Sequence, residues 1–274
     1  MNLLFAINHN FVQLLCTCMR SVIQNGGEAH YDAYILHSDL DAADRQVICH
    51  TCCDTISCHF LKVEEDIFAG FPESKRYPRQ IYYRLAAPLL LPEHLDRILY
   101  LDVDLVVINP LRELYTMGFE ENYYIACSHV RSFLTKFNQL RLGLDSQVPY
   151  INTGVLLMNL EALRRDITFE KIRLCAEEKM RTFLLPDQDI LTVLYGEKIL
   201  LADPMRYNLS DRMLRYYNTD PKHKKRDLEW VKRNGVIIHY YGKNRPWKDH
   251  YKGILDVFYW DAVNSNGMVP LQRE

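Results

Sequence analysis

Short apolar segments of strand length alternate with helical segments through the first 63 residues, and this alternation limits the possible folds more than any other feature. Such alternation is typical of a parallel sheet with helices on its faces, as in nucleotide-binding folds. The sequence therefore predicts an α/β protein with a Rossmann-like sheet. The predicted strands are residues 3–7, 31–37 and 56–63, and the predicted helices are residues 12–24 and 41–53. Ser38 and Asp39 precede the helix at residues 41–53 and are possible N-caps.

The usual glycine-rich phosphate motifs do not accompany this pattern. The chain has no G-x-G-x-x-G after a predicted strand and no G-x-x-x-x-G-K-[ST]. A nucleotide bound here would need another means of holding its diphosphate. A metal ion is one such means.

Two acidic residues interrupt the apolar run at residues 98–108. The run is rich in branched side chains and predicts a strand buried on both faces. The spacing of Asp102 and Asp104 predicts that both side chains point the same way near the carboxyl end of this strand. Paired carboxylates suit Mg²⁺ or Mn²⁺, which keep open positions for phosphate oxygens. The alternative is that both residues only end the strand and pair with arginines.

Polar residues also occur at the ends of other predicted elements. A strand that ends at His239 precedes a basic loop, so His239 is either a third metal ligand or a buried core histidine. Asn152 comes just before an apolar strand and is either a ligand contact or a turn residue. Asp187 and Gln188 precede a helix predicted from Ile190, so N-capping competes with a role in binding.

The later part of the chain predicts further elements and no linker. Helices are expected over residues 75–85, which carry Arg84 towards the sheet, and over residues 163–183. We expect one domain, with a nucleotide-binding half at about residues 1–108, a sugar- and acceptor-binding half at about 109–250, and a short C-terminal tail. Acceptor contacts are expected in variable loops at residues 133–144 and 207–232.

Composition excludes several classes of function. The 274 residues are 48% apolar and 25% charged, with a net charge of −2, which argues against a nucleic-acid-binding protein. No apolar run approaches the roughly 20 residues of a membrane span, although peripheral membrane contact is compatible with the sequence. The amino terminus lacks the pattern of a signal peptide, so a cytoplasmic protein is expected.

Eight cysteines are present, and half of them lie close together at Cys49, Cys52, Cys53 and Cys58. Zinc ligation is one interpretation, but structural zinc sites usually combine two ligand pairs across a longer spacer. Reduced thiols that pack in the protein are the favoured interpretation.

Taken together, the motifs resemble those of glycosyltransferase family 8, which includes glycogenin and the bacterial lipopolysaccharide galactosyl- and glucosyltransferases. The resemblance extends from residue 3 to about residue 247. It is carried by the segments at residues 5–8, 83–85, 99–104, 152–159, 187–189 and 239–247.

The resemblance implies a GT-A fold and transfer of a hexose from UDP-glucose or UDP-galactose to a glycan or lipopolysaccharide-type acceptor, with retention of anomeric configuration. It implies Mn²⁺ as cofactor, with Mg²⁺ as a substitute, bound by Asp102, Asp104 and His239. The implied donor-site residues are Ala6, Asn8, Asn10, Phe11, Arg84, Asp102, Val103, Asn152, Asp187, Gln188, Gly242, Lys243 and Arg245, with Gln188, Asp187 and Arg84 as the catalytic group.

Two positions depart from the family pattern. Related bacterial transferases often have an aspartate where Asn8 stands, and Arg245 replaces the lysine of a Lys-Pro-Trp motif. Arginine also binds phosphate, but with different geometry.

Same-face attack by the acceptor is favoured over a covalent intermediate, because Gln188 is a poor nucleophile.

Two other classes of protein remain as alternatives. A non-catalytic nucleotide-sugar-binding protein could keep the fold, but all three implied metal ligands are present. A sugar-nucleotide pyrophosphorylase is expected to carry a glycine-rich basic signature near its amino terminus, and the sequence around Asn8 has none.

Overall fold

The computed structural model describes residues 1–71, 79–128, 132–179 and 182–265. Within these residues the main sheet has seven strands and a second sheet has two. The strands are β1 (Asn2–Ile7), β2 (Tyr31–His37), β3 (Ile56–Lys62), β4 (Arg97–Leu101), β5 (Leu105–Val107), β6 (Tyr124–Cys127), β7 (Asn152–Asn159), β8 (Ile199–Leu201) and β9 (Ile237–His239).

Helices cover both faces of the main sheet and the small sheet. They are α1 (Val12–Asn25), α2 (Ala42–Cys52), α3 (Tyr83–Leu90), α4 (Arg112–Tyr115), α5 (Ser132–Leu142), α6 (Leu160–Arg164), α7 (Phe169–Lys179), α8 (Pro186–Tyr195), α9 (Pro204–Tyr207), α10 (Asp211–Thr219), α11 (Leu228–Asn234) and α12 (Asp256–Asn264).

The strand order of the main sheet is β3-β2-β1-β4-β7-β6-β8. Strands β3, β2, β1 and β4 are mutually parallel, as the alternating sequence predicts, whereas β7 is antiparallel to β4 and β6. The start of β7 therefore lies at the same edge as the carboxyl ends of β1 and β4. The backbone N–H of Asp102 donates to the carbonyl of Gly154 over 2.8 Å at this edge.

The buried side chains form three clusters. One packs α1 and α2 against one face of the main sheet, and a second packs α3, α6, α7 and α8 against the other. The third lies around β5 and β9 and includes residues of α10, α11 and α12. Leu105, Val107 and Ile237 of the small sheet also belong to the first cluster, so the two sheets share a layer of buried side chains, and the edge described above lies where they meet.

The prediction of one strand over residues 98–108 is wrong. The run forms β4 and β5, which belong to different sheets, and Asp102, Val103 and Asp104 form the bend between them. Both strands are buried, so the sequence is apolar on both sides of the bend and its periodicity does not reveal the break.

Helix boundaries also differ from the predictions. The segment 163–183 contains α7 and the end of α6 rather than one helix, and the predicted helix at 75–85 falls partly outside the described residues. In its described part, a 3₁₀ turn at Arg79–Tyr82 leads into α3, which then continues to Leu90. No described helix combines the length and apolar character that a membrane crossing requires.

The N-cap of α2 is Asp41 rather than Ser38 or Asp39. The Asp41 carboxylate accepts from the Asp44 backbone N–H at 2.8 Å, and the Asp44 carboxylate accepts from the Asp41 backbone N–H at 3.2 Å. This capping box satisfies two backbone donors that the helix itself leaves unpaired. Asp39 instead accepts from the backbone N–H of His9.

Replacement of Asp41 by alanine tests this assignment. We expect Asp41→Ala to lower the free energy of unfolding by about 1 kcal/mol, because one cap is lost. Asp39→Ala should lower it less, since its partner is an exposed backbone group. Urea unfolding of both variants gives the comparison, and a larger loss in Asp39→Ala would contradict the capping box.

Candidate active site

Asp102, Asp104 and His239 come together where the two sheets meet. Asp102 directly follows β4, and Asp104 directly precedes β5. Strand β9 is antiparallel to β5, with Leu105 opposite His239, and the Tyr240 N–H donates to the Asp104 carbonyl at 2.8 Å. The pairing of two short strands thus brings His239 to the carboxylates across 135 residues of sequence.

The three side chains have the geometry of a metal-binding group. His239 Nε2 lies 2.9 Å from Asp104 Oδ1 and 3.7 Å from Asp102 Oδ2. One ligand atom from each residue lies within 4.8 Å of the others. Adjacent ligands of an octahedral ion with bonds of about 2.1 Å are separated by about 3 Å, so the donor set fits Mg²⁺ or Mn²⁺. It is the one group of this kind among the described residues.

A chain of amides fixes the orientation of His239. Asn208 Oδ1 lies 2.9 Å from His239 Nδ1, and Asn208 Nδ2 donates to Asn152 Oδ1 at 2.9 Å. Because the Asn208 amide donates through its nitrogen, its oxygen accepts from Nδ1–H, and Nε2 is left to face the two carboxylates. Asn152 Oδ1 also accepts from the Gly154 N–H. Asn152 therefore belongs to the chain of amides that orients His239, and its contact with the donor sugar stays a prediction.

Gly154 leaves the space that the metal-binding group occupies. A Cβ atom at this position would lie 2.2 Å from His239 Cε1 and 2.8 Å from Asp102 Oδ2. Neither neighbour can withdraw, because both belong to the group. Sequence analysis did not assign a role to this glycine, although it stands in the segment 152–159 that carries the resemblance.

Charged partners compensate the two buried carboxylates. Arg84 Nη1 lies 3.0 Å from Asp102 Oδ1 and 3.4 Å from Asp187 Oδ2. The Tyr100 hydroxyl donates to Asp102 Oδ1 at 2.6 Å, and the Arg84 guanidinium lies over the Tyr100 ring. Burial raises the pKa of Asp102 despite the opposing charge of Arg84. Burial also acts to raise the pKa of Asp104, but His239 and Arg245 together hold it below its usual value.

Helix α8 begins at Pro186, and neither Asp187 nor Gln188 caps it. Asp187 accepts from the Thr153 hydroxyl at 2.6 Å and faces Arg84, while Gln188 is half-buried in the first turn. Asp189 fixes this turn. Its fully buried carboxylate accepts from the Leu184 and Leu185 N–H groups, the Arg141 guanidinium and the Tyr150 hydroxyl.

A cleft of about 640 Å³ opens beside the metal-binding group. Eight predicted donor-site or metal-ligand residues line it, among them the exposed ring of Phe11, together with Ile7 and Gln80. Arg245 enters from the far side, with Nη2 3.4 Å from Asp104 Oδ2. The lining residues are Ala6, Ile7, Asn8, Phe11, Gln80, Arg84, Asp102, Val103, Asp104 and Arg245.

Three more of the predicted donor-site residues, Asn10, Gly242 and Lys243, are not among the residues that line this cleft. Asn10 is exposed, and its backbone N–H donates to Asn8 Oδ1, so Asn8 caps the short turn that contains Asn10 and Phe11. Gly242 and Lys243 line a second cleft of about 700 Å³, formed by residues 210–212 and 239–244. His239 contributes to this second cleft, while its two carboxylate partners line the first. The metal-binding group therefore stands between two clefts.

Comparisons with known proteins identify the family to which the chain belongs. The family model described as glycosyl transferase family 8 matches residues 2–251. The chain belongs to glycosyltransferase family 8. It is 26% identical over 280 residues to a lipopolysaccharide 1,2-glucosyltransferase of Escherichia coli, covering 96% of this chain and 80% of that protein. It is also 26% identical to a putative glycosyltransferase of Haemophilus influenzae, covering 90% of this chain and 73% of that one.

Solved structures share the fold over nearly the whole chain. An active-site mutant of LgtC has a TM-score of 0.83 at 23% identity, and the galactosyltransferase LgtC with donor and acceptor sugar analogues has a TM-score of 0.81 at 24% identity. Each comparison covers 98% of both chains. The GT-A fold in a single domain, predicted from the family resemblance, is confirmed.

Gly154→Ala tests whether the space beside His239 is required. We expect Mn²⁺ affinity to fall at least tenfold, roughly the cost of disturbing a residue that supports a metal ligand. Gly118→Ala is the matched control, since an added Cβ there meets no atom within 4 Å. Calorimetric titration with Mn²⁺ gives the affinity, and circular dichroism checks the fold. Mn²⁺ binding by Gly154→Ala equal to that of the control would contradict the assignment.

Proposed function

We propose that this protein is a retaining hexosyltransferase that uses UDP-glucose or UDP-galactose and Mn²⁺ to glycosylate a glycan or lipopolysaccharide-type acceptor. The observation that supports this most is the position of Asp102, Asp104 and His239 between two clefts. A transferase needs two substrates that meet at one reacting centre, and each cleft offers a place for one of them. The membership in glycosyltransferase family 8 supports the reaction class.

The first cleft is proposed as the donor site. Phe11 is 37% exposed and offers a ring on which uracil can stack, and Asn8 lies beside it with an amide for the base or ribose. Val103 lies between the two metal ligands and can pack against the ribose. Stacking alone accepts any base, so the polar groups around Asn8 must supply selectivity.

The donor diphosphate is proposed to lie between the metal-binding group and Arg245. When bound, Mn²⁺ supplies Lewis-acid stabilisation of the negative charge that grows on the leaving UDP. Arg245 supplies a second positive charge beside the metal-binding group, because its guanidinium lies near Asp104 and lines the same cleft. The guanidinium keeps its charge at any physiological pH.

The sugar is proposed to face Arg84, Asp187 and Gln188. Asp187 carries negative charge beside a sugar that becomes oxocarbenium-like, and Arg84 holds Asp187 in place. As the bond between the anomeric carbon and the phosphate oxygen breaks, the acceptor hydroxyl attacks the same face. The proton of that hydroxyl passes to the departing phosphate oxygen, so configuration is retained without a covalent enzyme intermediate.

The second cleft is proposed as the acceptor site. Arg212 and Lys243 line it and are exposed, and neither forms an ion pair with a described residue. The surrounding residues 211–252 contain 12 Lys and Arg against 5 Asp and Glu, a net charge of +7 in a chain whose net charge is −2. This charge suits the phosphate-bearing core of a lipopolysaccharide.

Nucleotide binding tests the donor assignment. We expect UDP to bind in the presence of Mn²⁺ at least tenfold more tightly than ADP or GDP, because mismatched base edges leave polar groups unpaired. EDTA should weaken UDP binding strongly, and Mn²⁺ should restore it better than Ca²⁺, whose bonds are longer. Isothermal calorimetry measures all of these affinities. Equal affinity for the three nucleotides would remove the base-reading role of the cleft.

Sugar transfer tests the reaction itself. UDP-glucose and UDP-galactose are each incubated with Mn²⁺ and truncated lipopolysaccharide, and the anomeric configuration of the product is read by NMR. A product with the α configuration of the donor supports retention. UDP binding without any transfer or donor hydrolysis would favour a non-catalytic nucleotide-sugar-binding protein.

Gln188→Ala tests the proposed role at the anomeric carbon. We expect kcat to fall roughly a hundredfold while the melting temperature and UDP affinity stay nearly constant, as for an interaction made mainly in the transition state. The control is Asp189→Asn, which removes the charge that compensates buried Arg141 and should lower stability by about 3–5 kcal/mol. Unchanged kcat in a correctly folded Gln188→Ala variant would remove Gln188 from the catalytic group.

A further inference from the structure

Five sulfur-containing side chains meet between α1, α2 and β3, away from both clefts. Cys52 Sγ lies 3.3 Å from Cys58 Sγ and 3.3 Å from Met19 Sδ. Cys49 lies one helical turn before Cys52, and its thiol hydrogen-bonds with Cys58. Buried Cys16 completes the group from α1. All eight cysteines of the chain are free thiols in the structure.

The structure does not support zinc ligation by the predicted cysteine cluster. Among the described residues, these cysteines form no group of three metal ligands whose atoms all lie within 4.8 Å of one another. Cys53 also points away, because its thiol donates to the carbonyl of His50. The closest pair, Cys52 and Cys58, has the proximity needed for a different chemistry.

Exposure differs sharply between the members of this pair. Cys52 is 1% exposed, whereas Cys58 is partly exposed at the outer strand of the main sheet. A dissolved oxidant therefore reaches Cys58 first. Cys52 lies directly behind it, in contact and protected from solvent.

Ionisation favours the same order. A hydrogen bond from Cys52 to the ionised sulfur lowers the pKa of Cys58, while the same hydrogen bond and burial raise the pKa of Cys52. The thiolate, which is the reactive form, is thus placed on the accessible sulfur.

We propose that Cys58 and Cys52 are an oxidation site that forms a reversible disulfide in the presence of a peroxide. The Cys58 thiolate attacks one peroxide oxygen and expels hydroxide, leaving a sulfenic acid. Cys52 sulfur then attacks Cys58 sulfur, and the departing hydroxide takes the Cys52 hydrogen as water. Two thiols are oxidised and hydrogen peroxide is reduced to two molecules of water.

The required movement is small. A disulfide bond is about 2.05 Å long, so the two sulfur atoms must approach by about 1.2 Å from their separation of 3.3 Å. The bond would close a short segment, because only the turn after α2 separates the two residues. Rotation of the partly exposed Cys58 side chain is the simplest source of this movement.

Mass spectrometry of the full-length protein tests the proposal. The reduced protein is treated with equimolar hydrogen peroxide, blocked with N-ethylmaleimide and cleaved at Asp54 with an Asp-specific protease, without reductant. Cleavage there separates Cys58 from the other three clustered cysteines. We expect the two fragments to stay joined and to separate after dithiothreitol.

Single substitutions identify the partner of Cys58. The fragments should stay joined in Cys49→Ser and Cys53→Ser and should separate in Cys52→Ser. Cys52→Ala is a second variant of the same position. Thermal melting under reducing conditions checks that each variant is folded. Cys53→Ser is the closest control, since Cys53 is the next residue and lies outside the pair. A cross-link that survives loss of Cys52, or a sulfinic acid on Cys58 without any cross-link, would overturn the proposal.

Discussion

Two partly buried carboxylates that lie next to each other are the constraint on which the candidate site depends. Charges in this position are costly unless partners compensate them. Asp102 has Arg84 and the Tyr100 hydroxyl, while Asp104 has His239 and Arg245. These partners come from distant parts of the chain. The contacts with the carboxylates therefore bring α3, β9 and the basic loop after β9 close together. The same compensation leaves oxygen atoms directed at a common centre, which is the property a divalent cation requires.

Local patterns predict the part of the fold that forms from neighbouring residues. The alternation of strands and helices up to β3 is read correctly, because each element there is bounded by clear turn residues and the strands are parallel. The bend at Asp102–Asp104 is missed, since burial on both sides of it keeps the sequence apolar. The capping residue of α2 is misplaced for a related reason. Several acidic residues stand near the helix start, and only the backbone geometry selects Asp41.

Candidate site residues can be predicted from the sequence when the chemistry of their side chains suits a ligand. They cannot be predicted when their role depends on how the chain packs around them. Asp102, Asp104, His239 and Arg84 have side chains suited to metal or phosphate, so family motifs and spacing point to them. Gly154 has no Cβ atom, and the need for this space is visible only in the folded structure, where His239 packs against the glycine. Asn208 acts through His239, and no pattern in its own neighbourhood marks it. Long-range pairing of β5 with β9 decides both roles, and sequence periodicity carries no information about such pairing.

The metal-binding group takes its members from both sheets, and this has a consequence for stability. Asp102 follows a strand of the large sheet, whereas Asp104 and His239 flank the small one. An ion held by all three would therefore act as a cross-link between the two sheets, in addition to the buried side chains that they share. Because the unfolded chain cannot assemble these ligands, occupancy raises the free energy of unfolding by RT ln(1 + [M]/Kd). A divalent ion bound at this point would thus join the small sheet to the large one as well as meet a substrate phosphate.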